Sequence, residues 1–442
     1  MLPMMLALAS ASTWTKVDDW NAVPKGSHVD AASVEHCQAV CANQPGCAQF
    51  SWNHISHHCY RSTSSDWAGL PSDHITSGCR NDLVPKCGEP PPPPPAYDGV
   101  LRHVGSGRVD AYLTPPFVSN HASMVEQTAG GQLHMGWFSG SHEGQDGVAI
   151  VHSWLSNTSV GSTWSHATTL SRRAGYSNQN AVLFSDDNAS ILHVFHSQQG
   201  ANQGEKAATV WHLQSPLDAA GRATNFSTPR VALDKPGSFD KNRLVPRLDG
   251  SWLLPIYEQG RQPNYPANGL LPAGSDPDDA SSWSTASYGA GCDNLVQPSV
   301  IRSTPGKPHL QAFFRDRRAE HIYKAESHDD GKTWTECKAT GLPNNNAGIQ
   351  AWQMRSGRVA LVYNPQTRGR DPLSISLSED GGQTWKYTRV LEHLDGKQEF
   401  SYPTIREDKK LDGLIHVSYT YKREAIKYSR VSEAWIMQTT GV

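Results

Sequence analysis

Arg315 and Arg370 stand at the ends of apolar runs, in HLQAFFRDRR and RGRDPLSISLS. Arginine there suits the capture of a carboxylate, because its planar, permanently charged fork can grip both oxygens through parallel hydrogen bonds. A solvated surface arginine is the alternative, and it is the reading taken for Arg317, Arg318 and Arg368 in the adjoining loops. In EFSYPTIRED, Tyr402 follows Glu399 by three residues. Glu399 is the nearest carboxylate able to act as a general base toward a phenol, and the plainer role for Tyr402 is a packed aromatic beside Pro403. Glu143 and Asp146, in WFSGSHEGQDGVAI, are candidates for acid/base work or for capping a turn. The motifs HExxH and GxSxG do not occur, and the 20 histidines are scattered rather than set at ligand spacing, so no metal or cofactor is expected.

Such residues need a scaffold, and repetition supplies one. SHDDGKTW at 327–334 returns as SEDGGQTW at 378–385, 51 residues on. Trp283 stands another 51 residues back, with Asp278, Ala280 and Ser282 at the offsets of Asp, Gly and Thr, and a worn copy with Ser159, Gly161 and Thr163 ends at Trp164. Around the copies lie short strands of alternating polarity, such as QLHMGWF, SILHVFHS, RVALVYN and LIHVSYTY, bounded by Gly, Asn, Asp and Pro. About 345 residues at a period of 51 to 60 divide into roughly six units, each large enough for a four-stranded sheet, and radial repetition of such sheets is a β-propeller. The expectation is an all-β, six-bladed propeller over residues 97–442. In the octapeptide, Asp can accept hydrogen bonds from a tight turn, Gly permits positive φ, and Trp fills space between blades. A phosphate loop at GKT is excluded, because position 326 is Glu and the second copy reads GQT.

The remaining chain is organised differently. The 442 residues carry 39 basic against 42 acidic side chains, so no global field recruits nucleic acid or anionic membrane. No segment approaches the roughly 18 apolar residues needed to span a bilayer. Residues 1–12, MLPMMLALASAS, read as a signal peptide or as a disordered start. Six of the eight cysteines crowd between Cys37 and Cys87, as disulfides of a small exported module or as a zinc site, although no C-x-x-C pair is present. The segment VEHCQAVCANQPGCAQFSWNHISHHCYR resembles the PAN/apple family, a small α+β domain. The resemblance implies Cys37–Cys59 and Cys41–Cys47, leaving Cys79 with Cys87, and a module at 27–88 that binds protein or glycan. The state of Cys292 and Cys337 stays open. Pro90–Pro95 form a polyproline spacer within a linker at 89–96, the alternative being a ligand for proline-binding domains. Sequons at Asn157, Asn188 and Asn225 fit a secreted or cell-surface glycoprotein.

The pattern S-x-D-x-G-x-T-W is similar to the Asp-box of the sialidase (neuraminidase) superfamily. On that resemblance Arg315 and Arg370 match two of three arginines that clamp a substrate carboxylate, and Tyr402 matches the tyrosine nucleophile of an exo-sialidase, whose reaction retains configuration through a tyrosyl intermediate. A phenol approaches an anomeric carbon that already bears a carboxylate without the repulsion a second carboxylate would suffer. Three places differ from the family pattern: SNHASMVE, with Asn120 and His121, stands where the first arginine belongs; Glu143 and Asp146 replace the acid/base aspartate; and Gln297, in NLVQPSV, replaces the glutamate beside the tyrosine. His121 and Gln297 are therefore expected to bind substrate, and Glu399 to act as the base. The implied partners are sialylated glycans or glycoproteins. Two other readings stand beside this one: a propeller that cuts uronic-acid polysaccharides as a lyase, with His121 and Tyr402 moving the proton, and a carbohydrate-binding adhesin without catalysis.

Overall fold

The computed structural model describes residues 14–21, 28–63, 70–80, 95–260, 263–394 and 398–438. The apolar start at 1–12, Cys87 and residues 89–94 of the linker lie outside the described residues. The chain divides into two compact units, Met1–Pro95 and Ala96–Val442.

Among the described residues of the first unit, five strands make one antiparallel sheet in the order Trp14–Asn21, Leu70–Arg80, Gln49–Asn53, His58–Ser62, His28–Asp30. The helix Val34–Ala42 starts at Ser33, whose hydroxyl accepts from the His36 N–H at 3.2 Å. Cys37 and Cys41, four apart, share its buried face and bond to Cys59 and Cys47. Cys79 is also disulfide-bonded. These sulfurs pack around Phe50 and do much of the work a larger apolar core would do.

Strands of the second unit form six antiparallel sheets among the described residues. Sheet I opens with Ser119–Gln127, sheet II with Tyr176–Asp186, sheet III with Ser238–Asp240, sheet IV with Leu295–Arg302, sheet V with Gln350–Gln353 and sheet VI with Phe400–Glu407. Sheet VI is completed from the other end of the unit, because Val109–Tyr112 pairs with Ala425–Ser432. Polar side chains tie each sheet to the next. Asn178 donates to Val148 O (2.9 Å), Asn180 to Asp240 O (2.8 Å) and Asn242 to Gln297 O (2.8 Å). Ser299 accepts from Ala351 N, Gln350 from Ile405 N, and Thr404 from Val125 N, which links sheet VI back to sheet I. This explains why the first strands are rich in Ser, Thr, Asn and Gln yet largely buried.

The repeated turns have one hydrogen-bond pattern. Asp329 accepts from the N–H groups of Lys332 and Thr333 and from the Thr333 hydroxyl, while Ser327 accepts from Gly331 N; Asp380, Thr384, Ser378 and Gly382 repeat this. Gly331 and Gly382 both have φ of 82°, and a Cβ on either would lie within 2.8 Å of Leu253 or Phe313 in the preceding sheet. The tryptophans reach the same way: Trp164 meets Tyr428, Trp283 meets Phe195, and Trp385 meets Phe313. At the third copy the aligned Asp278 does not hold the turn. Asp279 caps it instead, accepting from Ser281 N and Ser282 Oγ, and Asp278 bonds His212 at 2.7 Å. At the worn copy Asn157 takes over, accepting from Ser159 N and Ser162 Oγ.

Cys292 and Cys337 form a disulfide that spans 45 residues.

Candidate active site

Four of the six first strands carry a β-bulge near their beginning, with a non-glycine residue in left-handed backbone: Ala122 (54°), Asn180 (55°), Gln297 (52°) and Tyr402 (52°). A bulge re-aims the side chain at the cost of unfavourable φ, and such strain gathers where a side chain has to point against the pleat. The bulges at Gln297 and Tyr402 bring these two side chains onto one group, the guanidinium of Arg315. Its Nη1 donates to the Tyr402 phenol oxygen at 2.5 Å and to Gln297 Oε1 at 3.1 Å, while Nε donates to Asn346 Oδ1 at 2.8 Å. Arg315 ends the second strand of sheet IV, Leu310–Asp316, and is 4% exposed.

Arg370 approaches from sheet V. Its guanidinium lies 5.4 Å from the Tyr402 ring centre, against 5.5 Å for Arg315, and donates to Glu399 at 2.6 Å. Arg423, in the hairpin turn between Leu414–Tyr421 and Ala425–Ser432, grips Glu399 at 3.0 Å and Glu143 at 2.7 Å, with Nη2 3.3 Å from His121 Nε2. Burial pushes the Glu399 carboxyl up, but Arg370 and Arg423 prevail and hold it below the ordinary range. His121 is fully buried, with its ring centre 4.3 Å from that of Tyr402. Burial, with Arg423 and Arg370 beside it, drives its pKa well down, so the ring is neutral. Because a guanidinium only donates, Nε2 is the acceptor, and Nδ1 carries the proton that bonds Thr420 Oγ1 at 2.8 Å.

Beneath the phenol, Lys241 donates to Pro403 O at 2.9 Å and sits 5.9 Å from the Tyr402 ring centre. Burial and the Arg315 charge push it down to about 7. Gly348 leaves room here, because a Cβ would press on Lys241, Gln297 and Tyr402 within 3.2–3.4 Å. Neighbouring Asp240 is pushed up to about 8 by burial, despite a bond of 2.5 Å from Ser197.

Of the residues singled out from sequence, Tyr402, Glu399, Glu143, Arg315, Arg370, His121 and Gln297 thus converge. Asp146 does not join them: its carboxylate accepts from Gly175 N at 2.6 Å and caps a turn. Glu399 stands beside the cluster with its oxygens on Arg370, Arg423 and Ser401. Arg317 and Arg318, read as surface residues, are ion-paired with Glu205 and Asp316. Sequence reasoning missed Arg423, Lys241 and Asn346. No linear signal marks the first two. A cavity of about 350 Å³ opens toward the far ends of the first strands, among Phe184, Arg243, Ile301 and Trp352. The convergence of charges and a phenol, rather than that cavity, identifies the candidate site.

Residues 131–417 match the BNR repeat-like domain family, and residues 20–83 match the PAN domain family. A Bacteroides fragilis protein described as a sialidase is 26% identical over 302 residues, covering 65% of this chain. The chain spans about half (50%) of that relative's length. Among solved structures, the Hadza microbial sialidase Hz136 has a TM-score of 0.59 at 16% identity, covering 86% of this chain and 80% of its own. The intramolecular trans-sialidase of Ruminococcus gnavus in complex with oseltamivir carboxylate has a TM-score of 0.56 at 13% identity, covering 74% and 98%. The likeness to these structures is one of fold, and the matched repeats extend through most of the second unit. The chain belongs to the BNR-repeat, sialidase-like family, with a PAN domain ahead of the repeats.

Proposed function

We propose that the second unit is a six-bladed β-propeller acting as an exo-α-sialidase-like glycoside hydrolase. It releases terminal sialic (nonulosonic) acids from glycoconjugates, with retention through a tyrosyl intermediate. The observation that carries this reading is the charge balance around Tyr402. Three guanidiniums, Arg315, Arg370 and Arg423, face two carboxylates, Glu143 and Glu399. Among these side chains one positive charge is left over, and Lys241, pushed down to about 7, adds part of another beneath the phenol, an excess that suits a substrate bearing a carboxylate. Arg423 supports this reading doubly, because it offers a third arginine from sheet VI where SNHASMVE supplies none.

In the proposed reaction the substrate carboxylate takes Arg370 and Arg423 and thereby unpairs Glu399 and Glu143. Tyr402 Oη attacks the anomeric carbon, assisted by the Arg315 donor on the phenol oxygen. Glu399 accepts the phenol proton, and Glu143, which takes up a proton from solvent once Arg423 has turned to the substrate carboxylate, gives that proton to the departing glycosidic oxygen. Water then attacks the same carbon, Glu143 takes its proton, and the tyrosine leaves as the phenol, reprotonated from Glu399. Gln297 and Asn346 orient Arg315, and the neutral His121 forms one wall. The PAN unit is proposed to hold the chain to glycan or protein outside the cell, in keeping with its disulfides. Among the described residues no helix is long and apolar enough to cross a membrane.

The neutral His121 ring against Tyr402 favours a second reading, a lyase acting on uronic acids, in which these two side chains move the proton. A fluorinated sialoside that traps covalent glycosyl intermediates separates the two. Wild type should be labelled on the peptide containing Tyr402 while Tyr402→Phe is not, and Tyr402→Phe should lose nearly all turnover of fluorogenic sialosides. An unsaturated uronate product without tyrosine labelling would establish the lyase in its place, and binding without any product would leave an adhesin.

A further inference from the structure

His309, Glu326 and His328 lie at one end of sheet IV, away from the Tyr402 cluster. Their meeting is dictated by register. The pairs Leu310–Ser327 and Gln311–Glu326 put His309 opposite His328, and Glu326 and His328, two apart, project from the same face. The imidazoles are nearly parallel, 6° apart with ring centres 4.8 Å from each other. Glu326 Oε2 lies 3.3 Å from His309 Nε2 and 4.0 Å from His328 Nε2, and the three donor atoms are all within 4.8 Å of one another. Ligands bound tetrahedrally at about 2.1 Å from one metal are about 3.4 Å apart, a separation that the two measured distances bracket.

The surroundings fix the carboxylate for this use. Lys324 takes its other oxygen, Oε1, at 2.8 Å and is itself anchored on Gly381 O at 2.8 Å. The Glu326 backbone is bonded in both directions to Thr335. Ligating carboxylates are commonly held by such outer partners.

We infer that His309, Glu326 and His328 form a binding site for a divalent transition metal, zinc being the natural occupant, with water at the fourth position. Two imidazoles disfavour calcium and magnesium, which take oxygen ligands. The ion clamps the entry to the strand Leu310–Asp316 against the turn at 327–334. The inference does not depend on the proposed glycosidase activity.

The test is titration of the full chain with zinc sulfate, followed by calorimetry and by thermal unfolding with and without the metal. One equivalent should bind with a rise in Tm. His309→Ala and His328→Ala should each weaken binding at least tenfold and abolish the rise, while unfolding as wild type does without metal. Bound Cu²⁺ should show coupling to two nitrogens by electron paramagnetic resonance. His28→Ala serves as the control, because His28, Asp30 and His58 are the other group of this kind among the described residues. Binding that vanishes in His28→Ala but persists in the sheet IV variants would overturn the assignment, as would failure of the chain to take up zinc.

Discussion

Replacing Arg423 by Gln removes the group on which the proposed carboxylate clamp turns. Its guanidinium makes charge-assisted bonds of 2.7 and 3.0 Å to Glu143 and Glu399, and a bound substrate carboxylate is to take its place between them. A hydrogen bond to a charged group contributes about 1.5–3 kcal/mol, so kcat/KM should fall by a factor of roughly 10 to 150. The same loss should appear in the Kd of free N-acetylneuraminic acid measured by calorimetry. Arg423→Lys, which keeps the charge and loses the fork, should fall between the two. Glu399 also loses one of the two cations that hold its pKa low, so its titration should move up toward the ordinary carboxylate range, and the acidic limb of the rate profile should follow. Structural damage is limited because Arg423 is 24% exposed and the backbone bond from Asn120 N to Arg423 O persists. If Arg423→Gln binds the free acid within twofold of wild type, Arg423 only organises Glu143 and Glu399, and the leftover positive charge does not select the substrate.

Glu143→Gln should abolish turnover of natural glycosides while sparing the first step, release of a leaving group that needs no proton, so that the covalent intermediate accumulates. Asp146→Asn should keep activity within a few fold and cost about 1 kcal/mol of stability through the weakened bond from Gly175 N. Asp240, held protonated up to about pH 8 when folded and ionised above about pH 4 when unfolded, contributes stability that is lost as pH rises between those values. Urea unfolding at pH 5 and pH 8 should therefore show wild type weakening by roughly 4 kcal/mol at most and Asp240→Asn losing most of that dependence. Replacing both Cys292 and Cys337 by Ala opens a span of 45 residues, for which chain entropy predicts about 4 kcal/mol of destabilisation. A change under about 1 kcal/mol in denaturant unfolding would refute the entropic account there.

Much of the second unit was legible because its signals are local. Alternating strands, turn residues and an octapeptide that returns after 51 residues are each read from a few consecutive residues, and the turn at Asp329 and Asp380 has the bonding its residue types allow. Where the copy had decayed, alignment slipped by one: in PDDASSW two adjacent aspartates compete, and Asp279 holds the turn while Asp278 pairs with a distant histidine. In the site, Arg315, Arg370, Glu399 and Tyr402 could be found because each stands at the end of a recognisable strand. Arg423 could not, since KRE in a short hairpin looks like any solvated turn, and its partners lie 24 and 280 residues away. Lys241 was hidden for another reason: its chemistry comes from desolvation, which a sequence does not display. The bulges escaped because left-handed backbone falls on Ala, Asn, Gln and Tyr rather than on glycine, the residue that normally announces it.

The strand Val109–Tyr112 finds its partner only when Ala425–Ser432 has been made. At about 5–20 residues per second on the ribosome, that delay is of the order of 15 to 60 seconds, during which an early segment waits with an unpaired edge. Glu399, Tyr402 and Arg423 all belong to the late portion of the chain, and Arg423 sits on the hairpin whose second strand receives the early one. Synthesis therefore delivers Tyr402 and Arg423 at about the same time as the seam that holds them. On the proposed function, a chain that stops short of Ala425–Ser432 should show no turnover of fluorogenic sialosides.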